Sequence, residues 1–168
     1  MDSLEEKPIS LIDVIKEELD CNSFVFLTSS KHSNALVMEI VINDYKMRIY
    51  FFAYDKKINI RLVFPFASEQ GMLPILALFL TEYRDKAFTN LRIDMETGVV
   101  FFDYSYLVRP GAFDSEFFWI YVRSMTSEAC RLYKTLSRMC AGRIEPDMKE
   151  YYRVLLTCAL ERLQSDDS

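Results

Sequence analysis

Leu11, Ile12, Ile15 and Leu19 recur at helical spacing opposite Asp13, Lys16 and Glu17, and Pro8 suits a first helical turn. The pattern predicts a short amphipathic helix over 8–20, placed as a lid on a sheet. From residue 23 to 64 the period falls to two. Runs at 23–28, 36–42, 46–53 and 58–64, rich in Val, Ile, Phe and Tyr, predict strands, and Asn43-Asp44 and Asp55-Lys56 mark tight reversals between the later three. A sequential antiparallel meander is the simplest topology. In the third strand Met47, Ile49, Phe51 and Ala53 share one face, while Arg48, Tyr50, Phe52 and Tyr54 share the other. Neither face is wholly polar, so aromatic surface is left for another element or a partner to cover.

Pro65, unable to donate to a ladder, is expected to end the meander, and Ser68-Glu69-Gln70-Gly71 to turn toward a helix with Pro74 in its first turn. That helix, 74–83, is apolar over most of its circumference until Glu82, which calls for burial on more than one side. Burial within the domain satisfies this; so does a second copy of the chain, for which Ile75, Leu78 and Phe79 are the candidate contacts. Next, Leu91, Ile93 and Met95 alternate with Asn90, Arg92 and Asp94, and Gly98 sits where a three-residue loop wants a left-handed residue. A hairpin with a second strand over 99–108 follows. Pairing Met95 with Val99 would put Arg92 and Phe102 on one face, continued by Tyr104 and Tyr106. This stripe is either covered by a helix or is a partner-binding surface with Phe102, Tyr104 and Tyr106 as its residues.

Pro110-Gly111 breaks the strand and Asp114 is positioned to cap a long helix, in which Phe118, Val122, Met125, Ala129, Leu132, Leu136 and Met139 alternate by four and three. Three heptads of such a seam fit a helix lying across a sheet as well as a coiled coil. Gly142 stops the helix. Pro146-Asp147 starts another, over 147–163, with Tyr152, Leu155, Ala159 and Leu163 on one side, before a fraying tail at 164–168. The fold class is α+β: an antiparallel sheet of a four-strand meander plus a hairpin, packed with helices in the order α-β-β-β-β-α-β-β-α-α.

The 168 residues fit a single domain that buries roughly 70% of its unfolded surface. An apolar content of 51%, with 13 Phe and 10 Tyr, excludes intrinsic disorder. A net charge of −5 with singly scattered Lys and Arg argues against nucleic acid as a partner. Cys21, Cys130, Cys140 and Cys158 lack CxxC spacing, and the one histidine, His32, lies in a polar stretch, so neither a metal nor a cofactor is expected. Asp94, Glu96 and Asp103 are the available carboxylates for acid–base catalysis, but a hairpin tip is normally solvated and they read more simply as surface charge. The acidic, polar start is unlike a signal peptide, and the longest apolar run, Leu73 to Leu80, is far below the roughly 20 residues of a membrane span. A cytoplasmic protein without a membrane partner is expected.

The segment Leu91-Arg92-Ile93-Asp94-Met95-Glu96-Thr97-Gly98-Val99-Val100-Phe101, with Tyr133, Leu136 and Gly142 in the long helix and the order of elements over 8–142, resembles the YbjN family of bacterial proteins. That family, often labelled sensory transduction regulators, has a type III secretion chaperone-like fold. The helix at 147–163 lies at or beyond its core. The resemblance implies a non-enzymatic protein- or peptide-binding module, chaperone-like or regulatory, with a homodimer through the 74–83 helix or an edge strand. It supplies no catalytic residues. A small-ligand sensor with an aromatic pocket between sheet and long helix is the alternative, ahead of a carboxylate-dependent hydrolase.

Overall fold

The computed structural model describes residues 10–29, 32–84, 90–108, 112–144, 147–150, 152–153 and 156–157. Helix α1, Leu11–Cys21, starts at Ser10, whose Oγ accepts from the Asp13 N–H and donates to the Asp13 carboxylate at 2.6 Å. This reciprocal cap fixes the first turn. Strands β1 (Phe26–Thr28), β2 (Ala35–Ile42), β3 (Tyr45–Tyr54) and β4 (Lys57–Ala67) follow as a meander. Asn43 and Asp44 take φ of 50° and 65°, the two left-handed residues that a two-residue hairpin of matching twist requires. Helix α2 is Leu73–Arg84, β5 and β6 are Asn90–Ile93 and Val99–Leu107, and α3 is Ser115–Cys140. Residues 147–150, 152–153 and 156–157 are helical, and Tyr152 is buried.

All six strands form one antiparallel sheet in the order β1-β2-β3-β4-β6-β5, so the hairpin joins the meander through β4 and β6. Phe26, Met38, Ile49, Leu62, Phe102 and Leu91 line up as one row across it. The helices lie on the face this row occupies, and every residue of the expected α3 seam from Phe118 to Met139 is buried there. Asp114 caps α3 by accepting from the Phe117 N–H at 2.9 Å. At its other end the Arg143 N–H reaches the Arg138 carbonyl and the Gly142 N–H the Met139 carbonyl, with Gly142 left-handed at φ 67°.

Three expectations need correction. Strand β4 does not end at Pro65 but runs through it to Ala67, because the register against β6 shifts between Val63 and Ala67 and the proline sits in that bulge, where no ladder donor is needed. The first strand is shorter than 23–28: Ser23, at φ 60°, turns the chain out of α1 and pairing begins only at Phe26. The hairpin register is also one residue off. Asp94 pairs with Val99, so Leu91 faces Phe102 and Arg92 faces Phe101. The loop is longer because the Asp94 carboxylate accepts from the N–H groups of Glu96 and Thr97, folding an extra residue into the turn. A one-residue slip exchanges the faces. The readings that rest on Pro8, Pro110-Gly111, Pro146, Cys158, Leu155, Ala159, Leu163 and the tail lie outside the described residues.

Candidate functional site

The stripe of Phe102, Tyr104 and Tyr106 is on the helix-covered face. Phe102 is 0% exposed, and the two tyrosines are half-buried under α3, with Tyr104 stacked on Tyr121 at 3.9 Å and Tyr106 edge-on to Phe117. Burial pushes the hydroxyl pKa of both tyrosines up. They brace α3 against β6, and an open partner surface on these three residues is thereby replaced by an internal contact. In α2, Ile75 is buried and Leu78 and Phe79 are half-buried, because this helix lies over β5 and beside α3. Arg131 of α3 donates to the Tyr83 hydroxyl at 2.6 Å and ties the two helices.

The three carboxylates do not converge. Asp103 pairs with Arg61 on the open sheet face at 3.2 Å, Glu96 is exposed at the hairpin tip, and Asp94 is engaged in its own turn. Bonds from the Glu96 and then the Thr97 N–H hold the Asp94 carboxyl below its usual pKa. A carboxyl with a depressed folded pKa contributes stability above its unfolded pKa and loses it as pH falls through the folded value. Asp94 is therefore expected to titrate below the free aspartate range, with its turn loosening over that interval. A carboxyl-resonance titration by NMR checks this, and a midpoint at or above the ordinary value would contradict the turn. Among the described residues, no group of three or more His, Cys, Asp or Glu could hold a metal ion.

On the open sheet face, Arg61 lies 4.5 Å from the Phe101 ring centroid and 5.9 Å from that of Phe52, which stacks on Tyr50. The aromatic surface anticipated there is thus partly covered by an arginine of the next strand.

A cleft of about 680 Å³ lies elsewhere, between the β2 edge and α3. Its floor is Met38, Ile40 and Ile42 of β2 with Ile49 of β3; Trp119, Val122, Thr126 and Cys130 of α3 form the wall, and Asn22 and Phe24 close one end. Ile40 and Ile42 carry the core-face alternation yet stay half-exposed, because α1 does not reach over them. Glu18 sets the wall in place. Its Oε1 accepts from the Trp119 indole and the Ser115 hydroxyl, both at 2.6 Å, and from Asn22 at 3.2 Å. Phe24 stacks on Trp119 at 5.1 Å. Burial raises the Cys130 thiol pKa, which keeps it protonated and a poor nucleophile. Glu116 and Arg123 stand at the rim.

The cleft borders an unfinished strand edge. β1 pairs with residues 36–38 of β2 and the Phe26–Met38 pair sets Val25 beside Glu39, so residues 40–42 have no paired outer neighbour among the described residues. The Ser29 N–H donates to the Ala35 carbonyl, and in an antiparallel ladder that direction recurs at every second residue. Glu39 therefore turns its N–H and C=O groups toward Val25, and Val41 turns its own to the open side.

No family model and no curated protein matches the sequence. The fold is similar to a solved structure of an uncharacterized protein from Methanothermobacter thermautotrophicus, at 14% identity and a TM-score of 0.45, over 76% of this chain and 97% of that one. No helix among the described residues is long and apolar enough to cross a membrane.

Phe24, Ile40, Ile42 and Trp119 were not singled out by sequence reasoning. One signal was present: the run Phe24-Val25-Phe26-Leu27 is continuously apolar where a strand with one covered face would alternate, which marks a segment serving two surfaces.

Proposed function

We propose that this chain is a non-enzymatic, YbjN-like protein- or peptide-binding module that holds an extended apolar segment along the β2 edge. The observation that carries this reading is the conjunction of the cleft with the open backbone of Val41 at the end of β2. A strand added there would hydrogen-bond to those groups, and its alternate side chains would fall over Ile40, Ile42 and Trp119. The order of elements, with a meander, a helix, a hairpin and a long helix, supports the chaperone-like comparison. Neither a nucleophile nor an acid–base pair is required.

Trp119 is the only tryptophan and lines the cleft, so its fluorescence reports occupancy directly. Titration with a library of extended apolar peptides is expected to shift its emission. Ile40→Asp should weaken binding about 10- to 100-fold while leaving the circular dichroism spectrum intact. Peptides N-methylated at alternate residues should bind less well, because they cannot complete the strand. A second reading rests on the cleft volume, which lies within the range of small-ligand sites, roughly 300–1,000 Å³. An emission shift with small apolar molecules, and none with any peptide, would replace the first reading by the second.

A further inference from the structure

Beyond that reading, and on the opposite side of the sheet, we infer that the open sheet face binds single-stranded RNA, with bases stacked on Phe52 and Phe101 and phosphates held by the cations around them. Helices α1, α2 and α3 pack on the other face. The net charge of −5 argues against nucleic acid only as an average, and folding sorts that charge by face. Alternation along the ladders brings five cations to the open face, Lys46, Arg48, Lys57, Arg61 and Arg92, against two strand carboxylates, Glu39 and Asp103. The face is therefore +3, and the remainder of a chain of −5 is −8.

Rings and cations interleave there. Tyr50 and Phe52 lie nearly parallel at 6.2 Å on β3, and Arg61 of β4 stands between Phe52 at 5.9 Å and Phe101 of β6 at 4.5 Å. Aromatic and guanidinium planes set side by side on a sheet are surfaces on which unpaired bases stack, whatever their sequence. At one end of the face the strands part: β3–β4 pairing stops at Arg48 and Val63, short of Pro65, beside a pocket of about 340 Å³ walled by Lys46, Arg48 and Tyr50. Glu39 marks the place of an anion on these cations, one carboxylate oxygen lying 3.0 Å from Lys46 Nζ and the other 2.9 Å from the Arg48 guanidinium. A phosphate has the oxygens to take both. Lys57 and Arg92 have no carboxylate partner among the described residues.

The identity of the partner follows from this alternation and from Asn59. An acidic peptide would satisfy the cations but leave the rings between them unused, whereas a single strand offers a flat base between every two phosphates. Asn59 favours ribose over deoxyribose. It stands between Phe52 and Ser105 in the ladder, and its Oδ1 is closed off from water with no hydrogen-bond donor among the described residues. A nucleotide stacked on Phe52 brings a 2′-hydroxyl that can donate to this oxygen, and a deoxynucleotide brings none.

The test is fluorescence anisotropy of the full chain with a labelled single-stranded RNA of about ten nucleotides, repeated with DNA of the same sequence, with the RNA duplex and over a series of salt concentrations. Saturable binding that weakens with salt is expected, tighter for the single-stranded RNA than for the DNA or the duplex. Phe52→Ala and Phe101→Ala should each weaken it about tenfold, the loss of one stacked base, and Arg48→Ala should flatten the salt slope by about 0.7. Asn59→Ala should remove the preference for RNA over DNA. Glu39→Gln frees Lys46 and Arg48 and should tighten binding several-fold, while Glu17→Gln, the same charge change on α1, should not. Arg48, Glu39 and Glu17 are exposed, so these variants remain readable even where a ring substitution lowers stability. No binding at low salt, or binding indifferent to both ring substitutions, would overturn the inference. So would DNA or duplex bound as tightly as the RNA, an equal gain from Glu17→Gln, which would mean that binding follows total charge, or displacement of the RNA by polyglutamate at equal charge concentration, which would assign the face to acidic proteins. Trp119 lies on the opposite face, and peptide titrations of the cleft are read there, so this inference and the peptide-binding reading fail separately.

Discussion

Phe102→Ala is expected to lower the unfolding free energy by about 3–5 kcal/mol, among the largest losses available to a single side chain here. The ring is completely excluded from solvent and sits in the six-strand row between Leu62 on β4 and Leu91 on β5, tilted against Phe64 at 5.9 Å. Neighbours on both sides are held by backbone ladders, so they cannot collapse into the space left behind, and the cavity adds to the lost transfer energy. Phe102→Asp should unfold the chain, because the carboxylate would be buried with no cation among the packed residues to offset it. Loss of a partner in that variant would report unfolding and not a contact. Leu107 offers the control: it is 81% exposed on the same strand, and Leu107→Ala should stay within about 0.5 kcal/mol. Urea unfolding of the three variants decides it, and a Phe102→Ala midpoint close to that of Leu107→Ala would show that the β5–β6 register is wrong.

That register marks where sequence reading stops. The periodicity alone placed the α3 seam correctly, since seven apolar residues spaced by four and three can be buried together only on one side of a helix. The α+β class and the single antiparallel sheet were legible for the same reason: each strand had one strongly apolar face, and the shared helices could cover them only if the strands lay side by side. The hairpin loop was different. Gly98 located the turn, but loop length depended on whether Asp94 would capture two N–H groups, and that choice decided whether Leu91 or Arg92 shares the face of Phe102. At Pro65 the missing donor produces a bulge and not a strand end. The cleft was the least legible feature. Ile40 and Ile42 carry the pattern of core residues, and only the reach of the cover leaves them open: α1 has 11 residues, about 16 Å, against roughly 34 Å for the 10 residues of β3.

Gly98→Ala should cost about 2–4 kcal/mol, and Gly142→Ala only about 1, although both glycines are left-handed. Their φ angles, 71° and 67°, impose a similar penalty on any L side chain. What separates them is the neighbour a new Cβ would meet. At Gly142 the nearest atom is the carboxylate oxygen of Glu69 at 3.6 Å, the mobile end of a side chain at ordinary contact distance. At Gly98 it is the backbone carbonyl oxygen of Ser68 at 2.5 Å, with the Ser68 nitrogen at 3.0 Å, and neither can move without moving the end of β4. That contact carries a hydrogen bond: the Ser68 N–H donates to the Gly98 carbonyl at 2.8 Å, and the next N–H, of Glu69, donates to the Cys140 carbonyl at the end of α3. The hairpin turn, the exit from the bulged strand and the C-terminus of the long helix are therefore joined through two consecutive peptide groups. Pushing Ser68 away to admit one methyl group strains both bonds, so the loss at Gly98 should exceed that at Gly142 by the cost of this displacement. Equal unfolding midpoints for the two variants would mean that the turn does not rest on Ser68, and the packing of the hairpin against the end of β4 would have to be withdrawn.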